Sequence, residues 1–199
     1  HLKMMSVRLE SIYLANVLLH IGDMETIKVF PFVSRRCLEA MLTLKTNPAA
    51  FSTSPRDILR FFPNINTMVV DDFPFNTSET LPDMVTAIVA KTVNFSQPPN
   101  DGLRYADRVV EIQSCSSDSS HPFDFSIFPR LEKLSCGSIF KRIVFTAHKL
   151  KWFYIFVPGS RDPEDFPLEC AEHVVIVYSL ARYSAMAQQK RLPPHVRVF

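Results

Sequence analysis

The chain has 199 residues, 47% of them apolar and 21% charged, enough to build a sizeable core and too apolar to stay disordered. With 22 basic against 20 acidic side chains the net charge is +2, so no sequence-wide attraction to phosphate backbones or anionic lipid is present, and neither nucleic acid nor a membrane is expected as a partner. The longest apolar runs, Trp152 to Val157 and Val174 to Leu180, fall well short of the roughly 20 residues of a membrane helix.

The N-terminus lacks the charged, apolar and small-residue succession of a secretory signal, so secretion is not expected, and His1-Leu2-Lys3 ahead of Met4 reads as added sequence. Cys37, Cys115, Cys136 and Cys170 stand far apart along the chain. That spacing suits reduced thiols packed as small hydrophobes, a cytoplasmic or nuclear location, and neither a thiolate zinc site nor a disulfide framework. Glycine is scarce at 4 and proline abundant at 15, which disfavours tight hairpins and phosphate-cradling loops.

The first predicted helix carries Leu9, Ile12, Tyr13, Asn16, Val17 and His20 at helical spacing, with Val17-Leu18-Leu19 widening the stripe. Gly22 ends it and Asp23 caps the next. Met24, Ile27 and Phe30 form the face of a short second helix that Pro31 should interrupt, because proline lacks the amide donor. Ser34 caps a third helix, with Cys37, Leu38, Met41, Leu42 and Leu44 as its apolar members, before Asn47-Pro48 stops it. Three short amphipathic helices cannot bury their stripes alone, so they must dock on the following domain or on a partner.

The succession from Leu9 to Ile21, then Met24, Ile27 and Phe30, then Val33-Ser34-Arg35-Arg36-Cys37, resembles an F-box. Members of that family use the unit to bind the Skp1-type adaptor of a ubiquitin ligase. The resemblance implies adaptor binding over residues 6–50, through Leu9, Ile12, Tyr13, Val17, Ile21, Met24 and Ile27. Glu10 stands where the family's early proline usually lies, and Cys37 near a position often held by tryptophan.

Beyond Ser54-Pro55 the periodicity changes. Phe62-Pro63-Asn64-Ile65 and Phe128-Pro129-Arg130-Leu131 open one frame, in which apolar residues follow at 0, +3 and +5: Ile65/Met68/Val70 and Leu131/Leu134/Cys136. It can also be laid on Ala90/Val93/Phe95, Asp107/Val110/Ile112, Leu150/Phe153/Ile155, Ala171/Val174/Ile176 and Pro193/Val196/Val198, with steps of 25, 17, 24, 19, 21 and 22 residues. Any one match is worthless, since three apolar hits fall at about one start in ten at this composition. The near-regular spacing and the shared Phe-Pro entry carry the weight, and together they resemble the strand segment of leucine-rich repeats.

The inward asparagine that ladders such repeats is missing nearly everywhere, with Cys115 as the one plausible substitute. Segments Pro55 to Phe62, Leu81 to Ile88 and Ser138 to Ala147 are the expected returning connections. The fold class is therefore α/β: a three-helix F-box-like unit over 6–50, packed on an irregular leucine-rich-repeat solenoid with a parallel sheet over 55–199. An ordinary α/β domain is the alternative. The run to Val198-Phe199 shows no polar capping unit, so either the last edge is covered or further repeats follow.

No nucleophile elbow, Walker-type loop or paired-histidine metal motif occurs, and no catalytic, cofactor or metal residue is assigned. His121 near Cys115 reads as a polar loop, and Arg161-Asp162-Pro163-Glu164-Asp165 as a solvated one lacking calcium-loop spacing. The binding candidate is Lys151-Trp152-Phe153-Tyr154-Ile155-Phe156: with Leu150, Phe153 and Ile155 inward, alternation gathers Trp152, Tyr154 and Phe156 on the opposite face. Neighbouring strands add Thr67, Val69, Glu132, Lys133, Ser135, Val175 and Val177. Burial of both faces, as in a covered parallel strand, is the competing reading.

Three functions follow in order of preference. The first is a non-enzymatic scaffold with an adaptor on its helices and an unknown target protein on its repeats. The second keeps the repeats and makes the helices a cap on the first open edge. The third is a small intracellular enzyme whose site escapes recognition in one sequence.

Overall fold

The computed structural model describes residues 10–48, 54–73, 80–94, 103–116, 123–137, 143–144, 149–157, 168–178 and 194–198. They divide into two compact units, residues 1–70 with 79–86, and residues 71–78 with 87–199.

The first unit opens with helix α1, Ser11–Leu19, followed by α2, Met24–Val33, and α3, Arg35–Thr43. Helix α1 ends at His20, whose amide donates to the Val17 carbonyl at 3.0 Å. The apolar stripe read on α1 is its open side: Ile12, Tyr13 and Val17 are each more than half exposed, and Leu18 supplies the buried contact. Asp23 caps α2 as expected, its carboxylate accepting from the Thr26 amide at 2.7 Å. Ser34 caps α3, accepting from the Cys37 amide at 3.2 Å.

Pro31 does not interrupt α2, which runs through it to Val33. Pro31 withdraws the one amide that would bond the Ile27 carbonyl, and only Phe32 and Val33 follow before the extended backbone of Ser34 ends the helix. On α3 the core is Cys37, Ala40, Met41 and Leu44, while the expected core members Leu38 and Leu42 are two-fifths exposed. Ala40 is fully buried on this inward side.

Helix α4, Pro55–Phe61, starts with Ser54 accepting from the Asp57 amide at 3.3 Å and with proline in its first turn. It leads through buried Phe62 and Ile65 into strand β1, Thr67–Phe73. The chain leaving α3 pairs in parallel with the start of β1 at Thr46 and Thr67. Asn47, 2% exposed, then acts as a one-residue strand: its Oδ1 accepts from the Val69 amide and its Nδ2 donates to the Val69 carbonyl, both at 2.8 Å. One side-chain amide thus satisfies both main-chain groups of an edge residue, which would otherwise stay unpaired.

The remaining strands are β2 (Ala87–Asn94), β3 (Val109–Ile112), β4 (Cys115–Ser116), β5 (Phe123–Asp124), β6 (Lys133–Gly137), β7 (Ile143–Val144), β8 (Leu150–Val157), β9 (Ala171–Tyr178) and β10 (Val196–Val198). The main sheet runs in the order β1-β2-β3-β6-β8-β9-β10 with β4 on β2, and β5 pairs with β7 apart from it. Every described pairing of these strands is parallel. This gives an α/β chain with a solenoid-like ladder of parallel strands.

The triplets Ile65/Met68/Val70, Leu131/Leu134/Cys136, Leu150/Phe153/Ile155 and Ala171/Val174/Ile176 are buried, as read. Val196 is in register with Val174; Phe95, Pro193 and Phe199 lie outside the described residues. Two frames are corrected. On β2 Ala90 and Val93 are buried as read, but the triplet in the common frame is Val85/Ile88/Ala90, five residues earlier, so Leu81 to Ile88 is not a returning connection but the entry to a strand. On β3 it is Ala106, Val109 and Ile112, not Asp107 and Val110, because a register shift between Ile88 and Val89 inserts one extra residue. The frame starts then lie at 65, 85, 106, 131, 150 and 171, a more even series than the one read, and Leu44/Asn47 falls one further step before them.

Both Phe-Pro phenylalanines, Phe62 and Phe128, are fully buried. In the second unit Phe128 meets Phe73 edge-on at 6.1 Å and Phe125 at 6.4 Å, so an aromatic row underlies the turns that enter the strands. Cys115 is 2% exposed and its Sγ lies 3.5 Å from the Ser135 carbonyl.

Candidate interaction site

Strand β8, rich in aromatic and β-branched residues, is a strong strand former, and its alternation separates two faces. Phe153 and Ile155 are buried, Trp152 is half-buried, and Tyr154 and Phe156 are 39% and 51% exposed. The register places Trp152 between Lys133 and His173, Tyr154 between Ser135 and Val175, and Phe156 between Gly137 and Val177. Trp152 stacks on Tyr154 at 5.9 Å with an interplanar angle of 16°, and meets the His173 ring at 4.4 Å. Such contacts hold the rings in fixed orientations, and a preordered aromatic surface loses little entropy when it binds.

Charges flank this surface in pairs. Lys133 reaches Glu111 at 3.3 Å and Lys151 reaches Glu132 at 2.9 Å. Both pairs are partly exposed and contribute at most about 1 kcal/mol each. Gln113 also donates to Glu111, at 3.1 Å. A cavity of about 330 Å³ lies here, lined by Glu111, Ile112, Gln113, Lys133, Leu134, Ser135 and Tyr154.

The structure thus brings Lys133, Trp152, Tyr154 and Phe156 together, with Glu132 held by Lys151, and places Val175 and Val177, both half-buried, alongside. Thr67 and Val69 are half-buried and belong to the first unit, where Asn47 engages the Val69 main chain. His173, Glu111 and Gln113 were not read from the sequence. A step of 21 residues from Trp152 reaches His173, and Glu111 and Gln113 stand four and six residues after Asp107, as Tyr154 and Phe156 stand after Leu150.

On the helices, Ile12, Tyr13 and Val17 are exposed and Ile21 and Met24 half-buried, while Leu9 lies outside the described residues. Ile27 is fully buried, so it is core and not a docking residue: with Phe30 it forms the inward side of α2. The other side of α2 adds Val29, Phe32 and Val33, of which Phe32 is 87% exposed. Their i, i+3, i+4 spacing was the available signal.

Cys37, Cys115 and Cys136 are buried and Cys170 is partly exposed. Burial, followed by the neighbouring Cys136, pushes the Cys115 thiol far above its ordinary range, and the same causes push Cys170 up to about 12. His121 and residues 161–165 lie outside the described residues. Among the described residues no group of three or more His, Cys, Asp or Glu side chains is arranged to hold a metal ion, and no helix is long and apolar enough to cross a membrane. No family model matches the chain, and no curated protein or solved structure is significantly similar to it.

Proposed function

We propose that the protein is a non-enzymatic interaction scaffold of irregular leucine-rich-repeat type, acting in the cytoplasm or nucleus, whose β8 face holds a target protein and whose F-box-like helices dock a Skp1-type adaptor. The observation that carries this reading is the line of Trp152, Tyr154 and Phe156 on one face of a parallel sheet, partly open to solvent and flanked by internally paired charges. Aromatic anchors beside neutralised charges favour a protein partner, because they offer apolar area and little net field. Ile12, Tyr13 and Val17, with Val29, Phe32 and Val33, give the helices a second apolar surface, which supports adaptor docking.

Capture from a cell extract tests both halves. Phe156→Asp should release the target and spare the adaptor, whereas Tyr13→Asp with Phe32→Asp should release the adaptor and spare the target. Adaptor capture that survives the helix substitutions, or target capture that survives Phe156→Asp, sinks the corresponding half. A second reading, in which the helices cap the first strand, is favoured by the two Asn47 bonds to Val69.

A further inference from the structure

The cavity next to β8 is small, and its lining is chemically specific. About 330 Å³ lies at the lower end of the ~300–1,000 Å³ of ligand pockets, enough to admit an aromatic side chain of a partner. Its charged members cancel: Glu111 accepts from Lys133 through Oε2 and from Gln113 through Oε1. A carboxylate has about four acceptor sites and an ammonium three donors, so each partner keeps capacity after this pairing. A guest cation would meet Lys133 and a guest anion would meet Glu111. A neutral hydroxyl meets neither penalty, since it donates to the carboxylate and accepts from the ammonium.

The wall is aromatic: Tyr154 lines the cavity and Trp152, itself against His173, stacks on it at 5.9 Å. We infer that the cavity is a recognition pocket for a phenol-type side chain, a tyrosine of the bound protein, with its ring against Tyr154 and its hydroxyl between Glu111 and Lys133. The inference rests on the proposed reading of this face as a protein-binding surface, and it adds the chemical class of the anchor.

The probe is p-cresol, titrated into the 199-residue chain while the indole N–H of Trp152 is followed by NMR; the chain has one tryptophan, so the signal is unique. A saturable shift is expected, with affinity about tenfold weaker for 4-methylanisole, which has lost the donor, and at least as weak for butylguanidinium and p-tolyl phosphate. Ser135→Phe, which fills the cavity, should abolish the shift. Glu111→Gln should weaken binding about tenfold, and it decides the matter where Ser135→Phe does not fold.

No saturable shift, equal affinity for 4-methylanisole, or tighter binding of the phosphate overturns the pocket. If p-cresol fails while Phe156→Asp still releases the target, the pocket falls and the docking face stands. If p-cresol binds while target capture is indifferent to Phe156→Asp and to Ser135→Phe, the pocket's chemistry stands and the docking face falls.

Discussion

Asn47 concentrates at one residue what a neighbouring strand would otherwise supply. Replacing it with alanine strands the amide and carbonyl of Val69, a loss of about 1–3 kcal/mol, read as a lower denaturant midpoint at unchanged slope. Asn47→Asp should be worse, because a buried carboxylate cannot donate to the Val69 carbonyl and pays for desolvation as well. Equal stability of wild type and Asn47→Ala would show that the two bonds contribute nothing net. Asp23 gives a pH counterpart: the Thr26 amide, its largest influence, holds this carboxyl below its ordinary 3.8. A lowered folded-state value means that the stabilisation is present above 3.8 and is lost as pH falls through the folded value. Asp23→Asn keeps the cap and should flatten the acid limb of the melting temperature against pH.

Among the elements, β8 separates stability from function by parity alone. Phe153→Ala empties a fully buried position and should cost about 3–5 kcal/mol, whereas Phe156→Ala, half exposed, should change stability by no more than about 1 kcal/mol while weakening target binding. Comparable thermal shifts for the two variants would mean that the exposed face is itself covered by the fold. The same logic holds for α2, where Ile27 and Phe30 face inward and Val29, Phe32 and Val33 outward.

These two elements also show what could be read in advance. The Phe153/Ile155 pair of β8 was legible because a strand's period of two puts alternate residues on one face. On α1 and α3 the apolar residues covered too wide an arc for periodicity to choose the inward side: the stripe through Ile12, Tyr13 and Val17 faces solvent, and Ala40 takes the place expected of Leu38. Pro31 is tolerated within α2 because only Phe32 and Val33 follow it, so one ladder bond is lost and no further turn is distorted.

Across the whole chain, the question is whether the helices are detachable. The bridge from Thr46 to Thr67 and the bonds from Asn47 to Val69 tie the residues after α3 to the first strand. Deleting residues 6–50 should therefore expose an unpaired edge and cause aggregation, measured by light scattering and loss of cooperative melting. Deleting residues 6–43, which leaves Thr46 and Asn47, should restore much of the solubility. A soluble, cooperatively folding 6–50 deletion would instead mark the helices as an independent adaptor module.

Composition and spacing sufficed to announce helices followed by parallel strands recurring about every twenty residues, because burying an apolar triplet per strand imposes that rhythm on the residues themselves. They could not announce the extra residue in β3, the frame shift in β2, the use of Asn47 as a strand surrogate, or the pairing of Glu111 with Lys133 beside Tyr154. Each of those depends on which strand lies next to which and at what register. Neighbours in space are set by backbone hydrogen bonds between distant segments, and a linear pattern of hydrophobicity does not encode them.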